Sequence, residues 1–224
     1  MSNIGFRVLE RKRKVSESIV NEFRDAVTPH VSDNINRLFA AGPELKPFHK
    51  TGKLTGVALT VKTRPGDNLM VHKAIDIAEP GDVLVVDAGG DLTNAIIGEI
   101  MLELSKKQGI AGYVINGSIR DSLAFMEGDF PVYAKGVTHR GPYKDGPGEI
   151  NVPVSIGGMV VNPGDLILGD EDGVVVVNYE DAEEILSKVK AQAKKEEEIF
   201  KSIKEGTVDR SWVDQTLKDK GCEF

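Results

Sequence analysis

Val83-Leu84-Val85-Val86 is the stretch that most limits what this chain can become. The run is continuously apolar, enters through Pro80-Gly81-Asp82 and leaves through Asp87-Ala88-Gly89-Gly90-Asp91. A half-solvated strand would alternate, so this one reads as a strand covered on both faces. Such a strand belongs inside a layered α/β sheet, with helices linking it to its neighbours. The flanking sequence fits. Residues 55–63 alternate, are rich in β-branched types, and run into the turn Arg64-Pro65-Gly66-Asp67-Asn68. Residues 69–78 put Met70, Ala74 and Ile77 on one helical face, a helix ends at Gly109, and Gly112-Tyr113-Val114-Ile115 reads as the next buried strand.

Outside this α/β unit the pattern changes. Val15, Ile19, Phe23 and Ala26 predict an amphipathic helix that stops before Thr28-Pro29, because proline turns its preceding residue away from helix. A second helix is expected to start at Ser32-Asp33, to carry Ile35, Leu38 and Phe39 inward, and to end at Gly42-Pro43. In the second half, residues 131–134, 152–156, 159–161, 166–168 and 174–177 are short strands between turns rich in Gly, Pro and Asp. They predict a mostly β layer or partly closed barrel packed on the α/β units. From Asp181 to about Glu205 a long helix carries Ile185, Val189, Ala193, Ile199, Phe200 and Ile203 and closes at Gly206. Together with Trp212 and Val213 it packs either on its own domain or across another subunit.

The 224 residues are 40% hydrophobic and 28% charged, and the apolar segments are not split by a linker. One domain over 1–224 is expected, with a core at about 30–178, an N-terminal helical extension over 1–29 and a C-terminal helical extension over 179–224. A net charge of -7 argues against nucleic acid as a partner, since phosphate neutralisation needs clustered cations. The run Arg11-Lys12-Arg13-Lys14 is read as a solvated face. No apolar stretch approaches a membrane span and none forms a signal-peptide core, so a soluble cytoplasmic protein without membrane partners is expected. The one cysteine, Cys222, has no internal disulfide partner.

Two stretches carry chemistry: Gly98-Glu99-Ile100-Met101 and Gly117-Ser118-Ile119-Arg120-Asp121. Gly98 would let a ligand approach the main chain, and the amides of Glu99, Ile100 and Met101 would face an anion if a helix begins there. The alternative is a helix capped by Asn94, with Gly98 in its first turn as a packing contact. Arg120 and Asp121 follow a buried strand and should emerge at its end, where ligands of α/β sheets gather. They serve there either as a cation-holding carboxylate beside an oxygen-binding guanidinium, or as an exposed ion pair and helix cap. Asp67, Asn68 and the aspartates of 87–91 either supply oxygen ligands or cap backbone amides. His30, His49, His72 and His139 lack the close spacing of a zinc site.

Taken together, Val31-Ser32-Asp33, Gly66-Asp67-Asn68, residues 80–87, Gly98-Glu99, Gly117-Ser118-Ile119-Arg120-Asp121 and the long stretch 148–176 resemble the RraA-like family, including its class II 4-hydroxy-4-methyl-2-oxoglutarate aldolases. The resemblance implies an α/β, swivelling β/β/α fold with added N- and C-terminal helices, assembled as a homotrimer or homohexamer with sites near subunit contacts. It further implies a keto-acid substrate whose pyruvyl carboxylate lies on the turn of Gly98, Glu99, Ile100 and Met101, with Asn68 also in the substrate site. Arg120 would hold the keto oxygen, Asp121 would anchor Mg2+ or Mn2+, and Glu99 would assist the metal through water. The implied activity is retro-aldol cleavage of 4-hydroxy-2-oxo acids to pyruvate, with oxaloacetate decarboxylation at the same site. The family pattern has an acidic residue three positions after the aspartate, where this chain has Ala124. The same resemblance admits a non-catalytic regulator of ribonuclease E, or an enzyme acting on another keto or sugar acid. The compact regulators lack the terminal extensions, which favours the enzyme.

Overall fold

The computed structural model describes residues 3–223. In chain order its elements are β1 (Phe6–Val8), α1 (Glu17–Glu22), α2 (Thr28–Asn34), β2 (Lys46–Pro47), β3 (Leu54–Thr63), α3 (Leu69–Ile77), β4 (Asp82–Asp87), β5 (Ala95–Ile97), α4 (Glu99–Gln108), β6 (Gly112–Ile119) and α5 (Ser122–Met126). There follow β7 (Val132–Val137), β8 (Gly148–Ile150), β9 (Val154–Ile156), β10 (Met159–Val161), β11 (Leu166–Asp170), β12 (Gly173–Val177), a 3-10 turn, α6 (Ala182–Glu205) and α7 (Ser211–Asp219).

Among the described residues ten strands form one mixed sheet whose spine runs β1-β8-β3-β4-β6-β7-β2. Its centre is parallel: β3, β4, β6 and β7 lie side by side in one direction, and the short β5 pairs parallel with the far end of β6. The ten-residue β3 serves two neighbours on its other edge, with Leu54–Val57 paired to β11 and Val61–Thr63 to β8. All of β6 and nearly all of β4 are buried, as the continuous apolar run requires. On one face Leu84, Val86 and Ile115 meet α3 and α4 through Met70, Ala74, Met101 and Leu102. On the other, Val83, Val85 and Val114 meet the β9–β10 hairpin and β11–β12 through Ile156, Val161, Ile167 and Val176. A third cluster seats α1, α2 and α6 on β11 and β12, with Phe23, Val31, Ile185 and Val189 at its centre.

The amino-terminal part departs from expectation. The first helix does stop before Thr28-Pro29, at Glu22, but the second starts at Thr28 rather than at Ser32-Asp33, since a proline in the first turn gives up an N–H that has no helical partner there. The Thr28 amide and hydroxyl both donate to the buried Asp170 carboxylate, at 2.7 and 2.6 Å. The helix then ends at Asn34, because Asn36 and Arg37 take left-handed backbone with φ of 56° and 61°. Leu38 and Phe39 accordingly point outward, with Leu38 72% exposed. Residues 6–8 of the N-terminal extension form a strand parallel to β8 instead of helix. The last third of α6 and all of α7 leave Ile199, Phe200, Ile203 and Trp212 exposed. No helix of the described residues is long and apolar enough to cross a membrane.

Candidate functional site

Three parallel strands deliver the site. β5, β6 and β7 end at Ile97, Ile119 and Val137 on the same edge of the sheet, so the segments following them meet. After β5 the chain passes through Gly98 straight into α4, whose first residue is Glu99. Asn94 cannot cap a helix here, because Ala95–Ile97 form strand and the Asn94 side chain donates to the Gly141 carbonyl at 2.6 Å. After β6 come Arg120, whose amide donates to the Ile97 carbonyl at 3.0 Å, and Asp121, which holds a left-handed φ of 54° and opens α5. That conformation is uncommon outside glycine and is tolerated by aspartate better than by most residues.

These turns press the two stretches together. The Glu99 amide donates to Asp121 Oδ2 at 3.1 Å, and Arg120 Nε lies 3.7 Å from the same oxygen. A side chain at Gly98 would collide with Asp121 Oδ2 and lie 3.0 Å from both Cγ and Nε of Arg120. Gly98 is therefore small because Arg120 and Asp121 cross over it; its own backbone is extended. Arg120 is flanked on its other side by Gly141, where an added Cβ would stand 3.1 Å from Nη1.

Of the three amides that open α4, that of Glu99 is held by Asp121 and that of Met101 donates to the Gly98 carbonyl at 3.0 Å, so these contacts leave the Ile100 amide unused. The Ile100 side chain is exposed while Met101 is buried. Asn68, 2% exposed, lies beneath this helix start. Its Nδ2 donates to the Ile96 carbonyl at 2.9 Å and sits 3.2 Å from Met101 Sδ, and its Oδ1 has no partner among the described residues. The structure thus gathers Gly98, Glu99, Arg120 and Asp121 at one place, with Ile100 at the rim and Met101 and Asn68 in the layer below.

Glu99, Arg120 and Asp121 line an open cleft of about 600 Å³. Its other wall comes from Ala124 of α5, from Glu127 just past that helix, and from Thr138 and His139 after β7. Sequence reasoning missed Glu127, Thr138, His139 and Gly141. The parallel neighbour of β6 was the available signal, since its carboxyl end must open on the same edge. The other aspartates follow the capping alternative. Asp87 Oδ1 accepts from the Gly89 amide at 3.1 Å and from Asn116 Nδ2 at 2.8 Å. Asp91 accepts from the Thr93 amide at 3.2 Å. Burial pushes the Asp67 carboxyl up, yet the amides of Leu69, Asp145 and Gly146 and the Arg64 guanidinium outweigh it and hold Asp67 below the usual carboxylate range. Asp67 thereby fixes Asp145 and Gly146, a few residues beyond Gly141, to the turn after β3.

A larger cavity of about 900 Å³ opens at the opposite edge of the sheet, between α1 and the amino ends of the strands. Among its charges Lys14 pairs with Glu79, and Glu79 and Asp82 also pair with Arg11. In parallel sheets the carboxyl edge is the one that collects ligands.

A family model described as RraA-like, Aldolase/RraA, matches residues 28–176. A protein of Halalkalibacterium halodurans, named as a candidate 4-hydroxy-4-methyl-2-oxoglutarate aldolase, is 40% identical over 189 residues, which cover 84% of this chain and 90% of that protein. Among solved structures, Streptomyces coelicolor RraAS2, described as an unusual member of the RNase ES inhibitor RraA protein family, superposes with a TM-score of 0.76 at 26% identity, covering 85% of this chain and all of that one (100%). The RNA-processing inhibitor RraA from Thermus thermophilis superposes with a TM-score of 0.64 at 31% identity, covering 68% of this chain and 93% of its own.

Proposed function

The chain belongs to the RraA-like family, and from that premise we propose that it is a divalent-metal-dependent lyase that cleaves 4-hydroxy-2-oxo acids such as 4-hydroxy-4-methyl-2-oxoglutarate to pyruvate and also decarboxylates oxaloacetate. The observation that carries this reading is the crossing of Arg120-Asp121 over Gly98, which puts a carboxylate, a guanidinium and the amino end of a helix in one open cleft. A 2-oxo acid offers its carboxylate to the helix end and its keto oxygen, which gains negative charge in the enolate, to the guanidinium.

Among the described residues no three His, Cys, Asp or Glu side chains converge to hold an ion by themselves. The donors at the cleft are the hard carboxylate oxygens of Asp121 and Glu99, which suit Mg2+ or Mn2+. Mg2+ commonly binds through one or two carboxylates and completes its shell with water and substrate. Asp121 would hold the ion and Glu99 would reach it through water; when bound, the ion acts as a Lewis acid that stabilises the enolate of pyruvate.

The chain's own groups do the rest. The free amide of Ile100 and the positive end of α4 bind the C1 carboxylate. Arg120 donates to the C2 oxygen, where negative charge develops as the bond between C3 and C4 breaks. Glu99 receives the C4 hydroxyl proton through an intervening water, C4 becomes a carbonyl, and the electron pair enters the enolate, which is then protonated at C3. Loss of CO2 from oxaloacetate leaves the same enolate and needs no base at C4. The exposed apolar rim formed by Ile100, Leu104, Leu123 and Met126 supports assembly into a homotrimer or homohexamer that covers it.

The test is pyruvate release from both compounds, with Mg2+ or with a chelator, comparing the native chain with Asp121→Ala. Release that needs the metal and falls by about 10²-fold or more in the variant is expected. Release that survives chelation and the substitution would refute the mechanism. The second reading, a protein-binding regulator of ribonuclease E, draws support from the names of two structural relatives. One of these spans 85% of this chain, so the added terminal residues do not by themselves favour the enzyme. The regulator needs neither Asp121 nor a metal, and absence of pyruvate release would favour it.

A further inference from the structure

The cleft has a second half that the reaction centre leaves unused. Glu127 comes six residues after Asp121, immediately past the end of α5, and lines the same cleft. With a 2-oxo acid pinned by its C1 and C2 oxygens at Ile100 and Arg120, the part beyond C4 extends into the cleft that Glu127 lines. Glu127 forms no ion pair among the described residues. The lining presents three carboxylates, those of Glu99, Asp121 and Glu127, against the single guanidinium of Arg120, which the C2 oxygen already engages. It also presents the hydroxyls of Ser122 and Thr138.

Resting on the lyase reading, we propose that this cleft selects 4-hydroxy-2-oxo acids whose portion beyond C4 is uncharged and hydroxylated, of the 2-oxo-3-deoxy sugar-acid class, over those carrying a second carboxylate there, and that Glu127 sets the preference. Hydroxyls donate to a carboxylate and exchange hydrogen bonds with Ser122 and Thr138. A distal carboxylate meets Glu127 with no lysine, and no arginine besides Arg120, in the lining to offset the repulsion. Between unit charges several Å apart in a partly wet cleft, that repulsion is worth about tenfold in relative efficiency. The reaction balances as before: the bond between C3 and C4 breaks, the C4 hydroxyl loses its proton to leave a polyhydroxy aldehyde, and the electron pair becomes the enolate that is protonated to pyruvate.

The experiment measures pyruvate release by the full chain with Mg2+ from 2-oxo-3-deoxygluconate, its C4 epimer and 4-hydroxy-4-methyl-2-oxoglutarate. The readout is the ratio of kcat/KM between the better sugar acid and the dicarboxylate, in native protein, Glu127→Gln and Glu127→Lys, with circular dichroism confirming that each variant folds. A native ratio of at least about tenfold is expected, narrowing by about tenfold in Glu127→Gln and further in Glu127→Lys. Equal or better cleavage of the dicarboxylate by the native chain, or a ratio unmoved in both variants, overturns the proposal and leaves the lyase reading intact. Pyruvate from none of the three overturns both.

Discussion

Gly98→Ala isolates the geometry on which the site depends. Gly98 has extended backbone, φ -148° and ψ -169°, so alanine is admitted there without conformational strain. The added methyl nevertheless overlaps Asp121 Oδ2 and stands 3.0 Å from Cγ and Nε of Arg120, closer than ordinary contact. Relief requires Arg120 and Asp121 to retreat from α4 by roughly 1 Å, and a misplacement of that size costs about 10²-fold in rate. The fold loses much less. The hydrogen bond from the Glu99 amide to Asp121 is broken or stretched, but Asp121 is 44% exposed, so water recovers part of it. Adding the poorer capping by alanine gives about 1–2 kcal/mol, or a fall in Tm of roughly 2–8 °C for a chain of this size. The assay pairs kcat/KM for pyruvate release with a thermal melt on the same preparation. Efficiency within about threefold of native would refute the argument, since the methyl would then have been absorbed without moving the pair. A collapse of the melt would refute it differently, by showing that the crossing holds up the fold.

Two stability predictions probe the supports around the site. Asp67→Asn removes a carboxylate that accepts from three amides, and urea unfolding at pH 7 is expected to show a loss of about 1–3 kcal/mol. Because the folded carboxyl lies below its ordinary value of 3.8, its contribution is complete above that value and is lost as pH falls through the lower folded one. The gap between native and variant should therefore close below about pH 3.8, and a gap that ignores pH would refute the assignment. Thr28→Val deletes the buried hydroxyl bond to Asp170 and should cost about 1–2 kcal/mol in the same assay with pyruvate release unchanged. An unaltered unfolding midpoint would show that the pairing of α2 with β11 carries no stability.

The elements that were legible in the sequence are those whose causes are local. β4 announces itself by burial on both faces, β3 by alternation, α4 and α6 by the glycines at 109 and 206 that take left-handed backbone just past their ends. The errors fall where a distant partner decides. Ser32-Asp33 has good capping chemistry, yet α2 starts at Thr28 because Asp170, 142 positions away, receives both its amide and its hydroxyl. Residues 6–8 carry no strong strand pattern and become strand through pairing with β8. Leu38 and Phe39 have helical spacing from Ile35, but Asn36 and Arg37 break the helix between them, so the periodicity has nothing to act on.

The same distinction governs the site. That Arg120 and Asp121 leave the sheet at the end of a buried strand follows from Gly112 onward, residue by residue. Whether a helix begins at Gly98 or at Asn94 does not, because the answer lies in three residues, Ala95–Ile97, that are strand only by pairing with Ser118 and Ile119. The choice matters to the chemistry. A helix begun four residues earlier would carry its amino end about 6 Å away and leave Asp121 with no amide to meet. Pairing of β5 with β6 sets the start of α4 against the end of β6, and the crossing at Gly98 follows from it. The left-handed turn at Asp121 then aims the carboxylate back over the helix rather than along the strand. An arginine and an aspartate at a strand end are common; what sets these two against the start of a helix is a three-residue strand that no local pattern announces.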